Sequence, residues 1–100
     1  MAVNSMVSGG CIISGSVVRG SLLHSDVRID ERSYIDGAVI LPHVDIGKNC
    51  SIVRAIVDEG CQIPDGMRIG ADLDTDRRRF HVTDSGVVLV TADMLRRPQP

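Results

Sequence analysis

The feature that most restricts this chain is a repeat. Displaced against itself by 17 residues, the sequence aligns Met6 with Leu23, Ile40 and Val57, and Ile12 with Ile29, Ile46 and Ile63. A third column holds Val18, Ile35, Ile52 and Ile69. Within one unit the aligned residues are 6, 6 and 5 apart, whereas a helix repeats its apolar face every 3 or 4 residues and a strand every 2. Steps near six fit one inward residue per short strand followed by a corner. Three such strands close a triangular coil, and parallel stacking at ~4.8 Å satisfies the backbone between coils. Units 4–20, 21–37, 38–54 and 55–71 therefore predict an all-β chain, a parallel β-helix of about four coils and roughly 20 Å tall. Turn-tolerant residues fall at the expected corners: Gly9 and Gly10, Gly15, Asp36 and Gly37, Gly47, Asn49, Gly66 and Gly70, with Pro42 and Pro64 nearby.

The pattern stops after Gly70, so residues 4–71 read as the β-helix and 72–100 as a tail packed on it. In the tail, 71–79 reads as one or two helical turns, its aspartates at the start and its arginines at the end, as the helix dipole prefers. Residues 87–90 read as a buried strand. Thr91 caps a short helix through Leu95, and Pro98, Gln99 and Pro100 are expected to fray.

Composition narrows the chemistry. Lys and Arg number 11 against 13 Asp and Glu, a net charge of −2 that argues against a nucleic-acid partner. No apolar run reaches the ~18 residues of a membrane span and no signal peptide opens the chain, so a cytoplasmic protein is expected. Cys11, Cys50 and Cys61 lack metal-ligand spacing and are odd in number, so neither a disulfide framework nor a zinc site is expected. His24, His43 and His81 share no repeat offset that would stack two of them, and a zinc hydratase needs three His ligands. No phosphate loop and no nucleophile elbow is present. The catalytic and metal residue sets are therefore expected to be empty.

Arginines are the functional candidates that remain. A guanidinium grips phosphate oxygens in a fork, so converging arginines make an anion site. Arg77, Arg78 and Arg79 form one group and Arg96 belongs to another. The competing reading is a salt-bridged surface, with Asp72, Asp74 and Asp76 pairing the first group.

Several stretches carry a family resemblance. They are the opening run from Asn4 to Ser16, Tyr34-Ile35-Asp36-Gly37-Ala38-Val39-Ile40-Leu41-Pro42, and Ile63-Pro64-Asp65-Gly66-Met67-Arg68-Ile69-Gly70. Asp76-Arg77-Arg78-Arg79-Phe80, the run from Gly86 to Thr91 and Met94-Leu95-Arg96 complete the set. In this order they resemble the C-terminal domain of bacterial glucose-1-phosphate adenylyltransferases over essentially the whole chain. The resemblance implies a left-handed β-helix serving regulation and tetramer assembly. Catalysis, ADP-glucose and pyrophosphate from ATP and glucose 1-phosphate with Mg2+ for glycogen synthesis, would lie in a separate N-terminal nucleotidyltransferase domain. It further implies a phosphorylated sugar or nucleotide effector held between the two domains, with Arg96 at the position of a family effector arginine. Glu59 stands where some members carry another regulatory arginine, and the basic run at Arg77 to Arg79 has a family counterpart without an implied role.

The ends of the prism bear on the same reading. An aliphatic β-helix exposes core side chains at each end unless something covers them. The tail is placed to cover one end, and an N-terminal catalytic domain or a sister subunit is expected at the other. Two further readings stand beside this one: a stand-alone hexapeptide acyltransferase, which needs a catalytic His and a coenzyme A groove, and a purely structural solenoid.

Overall fold

The computed structural model describes residues 1–97; Pro98, Gln99 and Pro100, expected to fray, lie outside the described residues. Short strands follow one another round four coils. The first holds β1 (Ala2–Val3), β2 (Met6–Val7) and β3 (Ile12–Ile13). The second holds β4 (Val17–Arg19), β5 (Leu22–Leu23) and β6 (Arg28–Ile29), and the third β7 (Tyr34–Asp36), β8 (Val39–Ile40) and β9 (Asp45–Ile46). The fourth holds β10 (Ser51–Val53), β11 (Ala55–Val57) and β12 (Gln62–Ile63), and β13 (Arg68–Ile69) begins a further turn. The tail then adds α1 (Leu73–Arg79), β14 (His81–Val82), β15 (Val88–Val90) and α2 (Ala92–Arg96). Strands stack parallel into three faces, β1-β4-β7-β10-β13, β2-β5-β8-β11-β15-β14 and β3-β6-β9-β12, with β14 antiparallel to its neighbour. This is a triangular β-helix.

The core is the set of aligned columns from the second coil onward. Val18, Ile35, Ile52 and Ile69 are each 0% exposed and in register across the first face. Leu23, Ile40 and Val57 fill the second column, and Ile29, Ile46 and Ile63 the third. Burying each such side chain is worth about 1.5–3 kcal/mol relative to leaving it in water.

The first coil corrects the expected register. Leu23 pairs with Val7 and Ile29 with Ile13, so Met6 and Ile12 point outward and are 71% and 54% exposed. The cause is a corner one residue shorter. Between Ile13 and the left-handed Gly15 lies Ser14 alone, whereas Asp30 and Glu31 separate Ile29 from the left-handed Arg32. Because strand side chains alternate, a shift of one residue exchanges the inner and outer faces.

Left-handed residues mark all three edges: Asn4, Gly20, Gly37 and Arg54; Gly10, Asp26, His43 and Gly60; Gly15, Arg32, Asn49 and Gly66. Inside one edge, buried Ser16 and Ser33 replace absent backbone acceptors. Ser33 N–H donates to Ser16 Oγ at 2.9 Å and Cys50 N–H to Ser33 Oγ at 3.0 Å. Ser16 Oγ in turn donates to the carbonyl of Asp30, and Ser33 Oγ to that of Gly47. Gly70 ends the stack, at φ +91°, where a Cβ would meet Val53 O at 1.9 Å.

Candidate functional site

The arginines sit on two separate parts of the tail, each fixed by a helix cap. Asp72 caps α1 by accepting from the amides of Asp74 and Thr75, and from Thr75 Oγ1 at 3.0 Å. These donors, Thr75 above all, hold the Asp72 carboxyl below its ordinary value. The helix then aims its last turn in different directions. Arg77 pairs with Asp74 at 2.9 Å on the exposed side. Arg78 is also exposed, while Arg79 is turned inward.

Arg79 is committed to the fold. One of its terminal nitrogens donates to Asp76 Oδ1 at 2.9 Å and to the carbonyl of Arg68 at 2.8 Å, and its guanidinium carbon lies 4.9 Å from the centre of the Phe80 ring. Asp76 is 1% exposed and also accepts the Gly70 amide at 2.8 Å. A buried carboxylate with a cationic partner and a backbone donor is the arrangement that makes such burial tolerable. The Asp76–Arg79 pair thus ties α1 to the end of the β-helix. Both residues line a groove of about 590 Å³ shared with Asp65, Arg68, Asp72 and Thr75. Three carboxylates against two guanidiniums there do not make an anion site.

Arg96 stands elsewhere. Thr91 Oγ1 accepts the Met94 amide and caps α2, and the helix packs on β12. Leu95 forms one wall of a groove of about 440 Å³ that Asp45, Ile46, Gln62 and Ile63 also line. On the other side of Leu95, Arg96 opens onto a second hollow of about 380 Å³ with Gly60, Gln62, Ala92 and Leu95. The Arg96 side chain is 72% exposed and paired with Asp93. Glu59, next to Gly60, is exposed as well. Arg77, Arg78 and Arg79 are not brought into this hollow. Its chemistry is one exposed, exchangeable guanidinium beside an amide side chain, on a helix held by an apolar anchor.

The remaining candidates have structural places. His43 lies 3.6 Å from Asp26 at an exposed corner, both in left-handed conformation. His24 is half-buried and His81 exposed on β14. Cys61 is 0% exposed, and burial pushes its thiol up to about 11, which leaves it protonated and unreactive. No group of three His, Cys, Asp or Glu side chains suited to a metal ion occurs among the described residues, and no helix among them is long and apolar enough to cross a membrane.

Sequence reasoning missed the tail's latch. Arg54 occupies an edge where the two preceding coils have Gly20 and Gly37, at φ +49°. Its side chain donates to Ser85 O at 2.7 Å and its own carbonyl accepts the Val88 amide at 3.1 Å. An arginine in a glycine column is the signal that would have found it.

Comparison with known proteins agrees with this architecture. The chain is 57% identical over 94 residues to a glucose-1-phosphate adenylyltransferase of Methylobacillus flagellatus, covering 94% of this chain and 22% of that protein. It is likewise 57% identical over 95 residues to those of Nitrosococcus oceani and Methylococcus capsulatus, covering 95% of this chain and 22% of each. The chain therefore spans less than a quarter of these relatives' length. The family described as "GlmU-like, C-terminal hexapeptide" matches residues 1–90. With coils, corners and the tail strand β15 all inside that match, the chain belongs to the GlmU-like C-terminal hexapeptide family.

Proposed function

We propose that this chain is the C-terminal β-helix of a glucose-1-phosphate adenylyltransferase, contributing regulation and subunit assembly to an enzyme whose chemistry lies outside these 100 residues. The observation that carries this reading is 57% identity running through 94% of the chain, coils and tail together, to an enzyme of that name. A bare hexapeptide solenoid shares the coils but gives no reason for the similarity to run on through the tail. In this reading ATP, glucose 1-phosphate and Mg2+ bind to an N-terminal catalytic domain, and the protein works in the cytoplasm as a tetramer.

Regulation is assigned to the hollow at Arg96. A phosphorylated sugar or nucleotide displaces Asp93 from the guanidinium, and basic residues of the catalytic domain complete its shell. Its leverage equals its differential affinity for two arrangements of the domains, typically about 1–3 kcal/mol, or roughly 5–150-fold. Arg77 and Arg78 are left to general electrostatics, and Arg79 to holding α1.

The test is ADP-glucose synthesis by the longer protein, measured against phosphosugar concentration with and without Arg96→Ala. The expected result is adenylyltransferase activity in both, with the concentration for half-activation raised about tenfold in the variant, a change of about 1.4 kcal/mol. Absence of ADP-glucose synthesis overturns the enzyme assignment. An unchanged activation curve overturns the role of Arg96.

A further inference from the structure

The two hollows flanking Leu95 are continuous in their walls and opposite in charge. Gln62 and Leu95 line both. The Arg96 side holds a guanidinium, whereas the other holds Asp30 and Asp45 and, among the described residues, no cationic side chain. Gly60 bounds the first and Pro64 the second, so the pair runs along β12 for at most ~13 Å, at ~3.3 Å per residue. That is room for one phosphate and one sugar ring.

Asp45 and Gln62 are groups that the fold leaves unused. They lie in register on β9 and β12, both exposed on the outward side, about 4.8 Å apart. Neither side chain has a hydrogen bond or ion pair among the described residues. Arg28 stands opposite Asp45 on β6, yet the two make no ion pair there, and Arg28 does not line the groove. Asp30 is half-buried and accepts the Glu31 amide through one carboxylate oxygen. A carboxylate accepts hydrogen bonds, and a primary amide both donates and accepts, so the two side by side can grip vicinal hydroxyls. Leu95 offers an apolar wall to the C–H surface of a ring.

We propose that Asp45 and Gln62 hold the hydroxyl end of the ligand whose phosphate sits on Arg96, and that this ligand is a sugar monophosphate. The proposal rests on the regulatory reading of Arg96 and supplies the other half of that site. The order of charges along β12 gives the selectivity, with a cation toward Gly60 and carboxylates toward Pro64. A sugar bisphosphate laid in the same groove sets its second phosphate against Asp30 and Asp45, a penalty that discriminates against it. Inorganic phosphate reaches Arg96 and leaves Asp45 untouched.

General electrostatics and this proposal differ in sign at Asp45. A carboxylate that is merely nearby repels phosphate, so its removal tightens every phosphorylated ligand. A carboxylate that holds hydroxyls loosens the sugar phosphate when removed. The experiment is titration of this chain with glucose 6-phosphate, inorganic phosphate and glucose 1,6-bisphosphate, read from backbone amide shifts by nuclear magnetic resonance. Glucose 6-phosphate is expected to move the amides of Arg96, Gln62 and Asp45 together, and inorganic phosphate to move those near Arg96 but not that of Asp45. Asp45→Ala is expected to raise the dissociation constant for glucose 6-phosphate about tenfold and to leave that for inorganic phosphate unchanged or lower. Wild type is expected to bind the bisphosphate more weakly than glucose 6-phosphate. Unchanged or tighter binding of glucose 6-phosphate to Asp45→Ala overturns the proposal, as does a bisphosphate that binds better or a titration that moves no amide. Arg96→Ala separates the two claims. If it leaves the affinity for glucose 6-phosphate unchanged while Asp45→Ala lowers it, the phosphate assignment at Arg96 falls and the hydroxyl site stands.

Discussion

The two ends of the prism meet the same requirement in different ways. At the fourth coil the tail folds back, with Phe80 5%, Val88 0% and Val90 1% exposed, and β15 extends the second face by one rung. At the first coil the inward Val7 is 43% exposed and the inward Ile13 half-buried, yet Leu23 and Ile29 just behind them are 0% exposed. Among the described residues the first coil covers the second, and its own strands β1, β2 and β3 are edge strands. An aliphatic column therefore reports burial only where a coil has neighbours on both sides, because each ring of side chains is sealed by the rings above and below it.

Ile46→Asp breaks the middle of that comparison and carries the largest expected effect. Ile46 is 1% exposed, stacked between Ile29 and Ile63. A carboxylate there has no partner in an aliphatic column, and its desolvation exceeds what a domain of ~5–15 kcal/mol stability can absorb. The expected outcome is an unfolded or insoluble chain. A cooperative melt by circular dichroism would contradict the stacked core.

Phe80→Ala tests the covered end. Its ring packs in the tail beneath Arg79, and truncating a buried Phe costs about 3–5 kcal/mol. Hydrogen exchange is expected to quicken first in β11, β15 and the fourth coil, while the amides of β5 and β8 stay protected. Equal loss of protection in all coils would mean that the tail and the prism unfold as one unit.

Asp72 gives a smaller, pH-dependent effect at the same end. Its carboxyl is held below the ordinary value by Thr75 and the first-turn amides, so the folded state binds a proton less readily than the unfolded state. Stability from this cap is fully present above the unfolded carboxylate pKa and is lost as pH falls through the folded one. Asp72→Ala is expected to lower the melting temperature at neutral pH by less than Phe80→Ala does, and the gap to wild type is expected to close in acid. A gap that persists below both values would assign the effect to packing rather than to the charged cap.

Much of this was legible in the sequence because the determinants are local or periodic. The three columns from the second coil onward follow from Leu, Ile and Val recurring at a fixed interval, the first tail helix from its aspartates at the start and arginines at the end, and the second from a capping Thr91. Three features escaped. The shortened corner at Ser14 leaves the apolar pattern intact because Met6-Val7 and Ile12-Ile13 are apolar doublets, so either member satisfies the period. Arg32, His43 and Arg54 hold left-handed corners that composition assigns to Gly or Asn. Arg79 reads as a phosphate ligand in a basic run, but its partner Asp76, three residues earlier, decides its fate by being buried. Which member of a mixed Asp and Arg helix turns inward depends on the surface it meets.

Ile12→Asp is the smallest expected effect and discriminates most sharply. The 17-residue alignment places Ile12 in the same column as Ile46, so periodicity alone gives the two substitutions equal cost. The short corner instead puts Ile13 opposite Ile29 and leaves Ile12 opposite Arg28, on the outer face. An exposed aspartate gives up strand propensity, on a scale spanning about 1 kcal/mol, but gains a favourable cross-strand pair with Arg28 worth roughly 0.2–1 kcal/mol, so the two largely offset and the net change is expected within about 0.5 kcal/mol. Ile13→Asp, one residue on, is expected to be clearly destabilising, though less so than Ile46→Asp because the first coil is open on one side. If urea melts rank Ile12→Asp as more harmful than Ile13→Asp, the unbroken period is correct and the shortened corner is wrong.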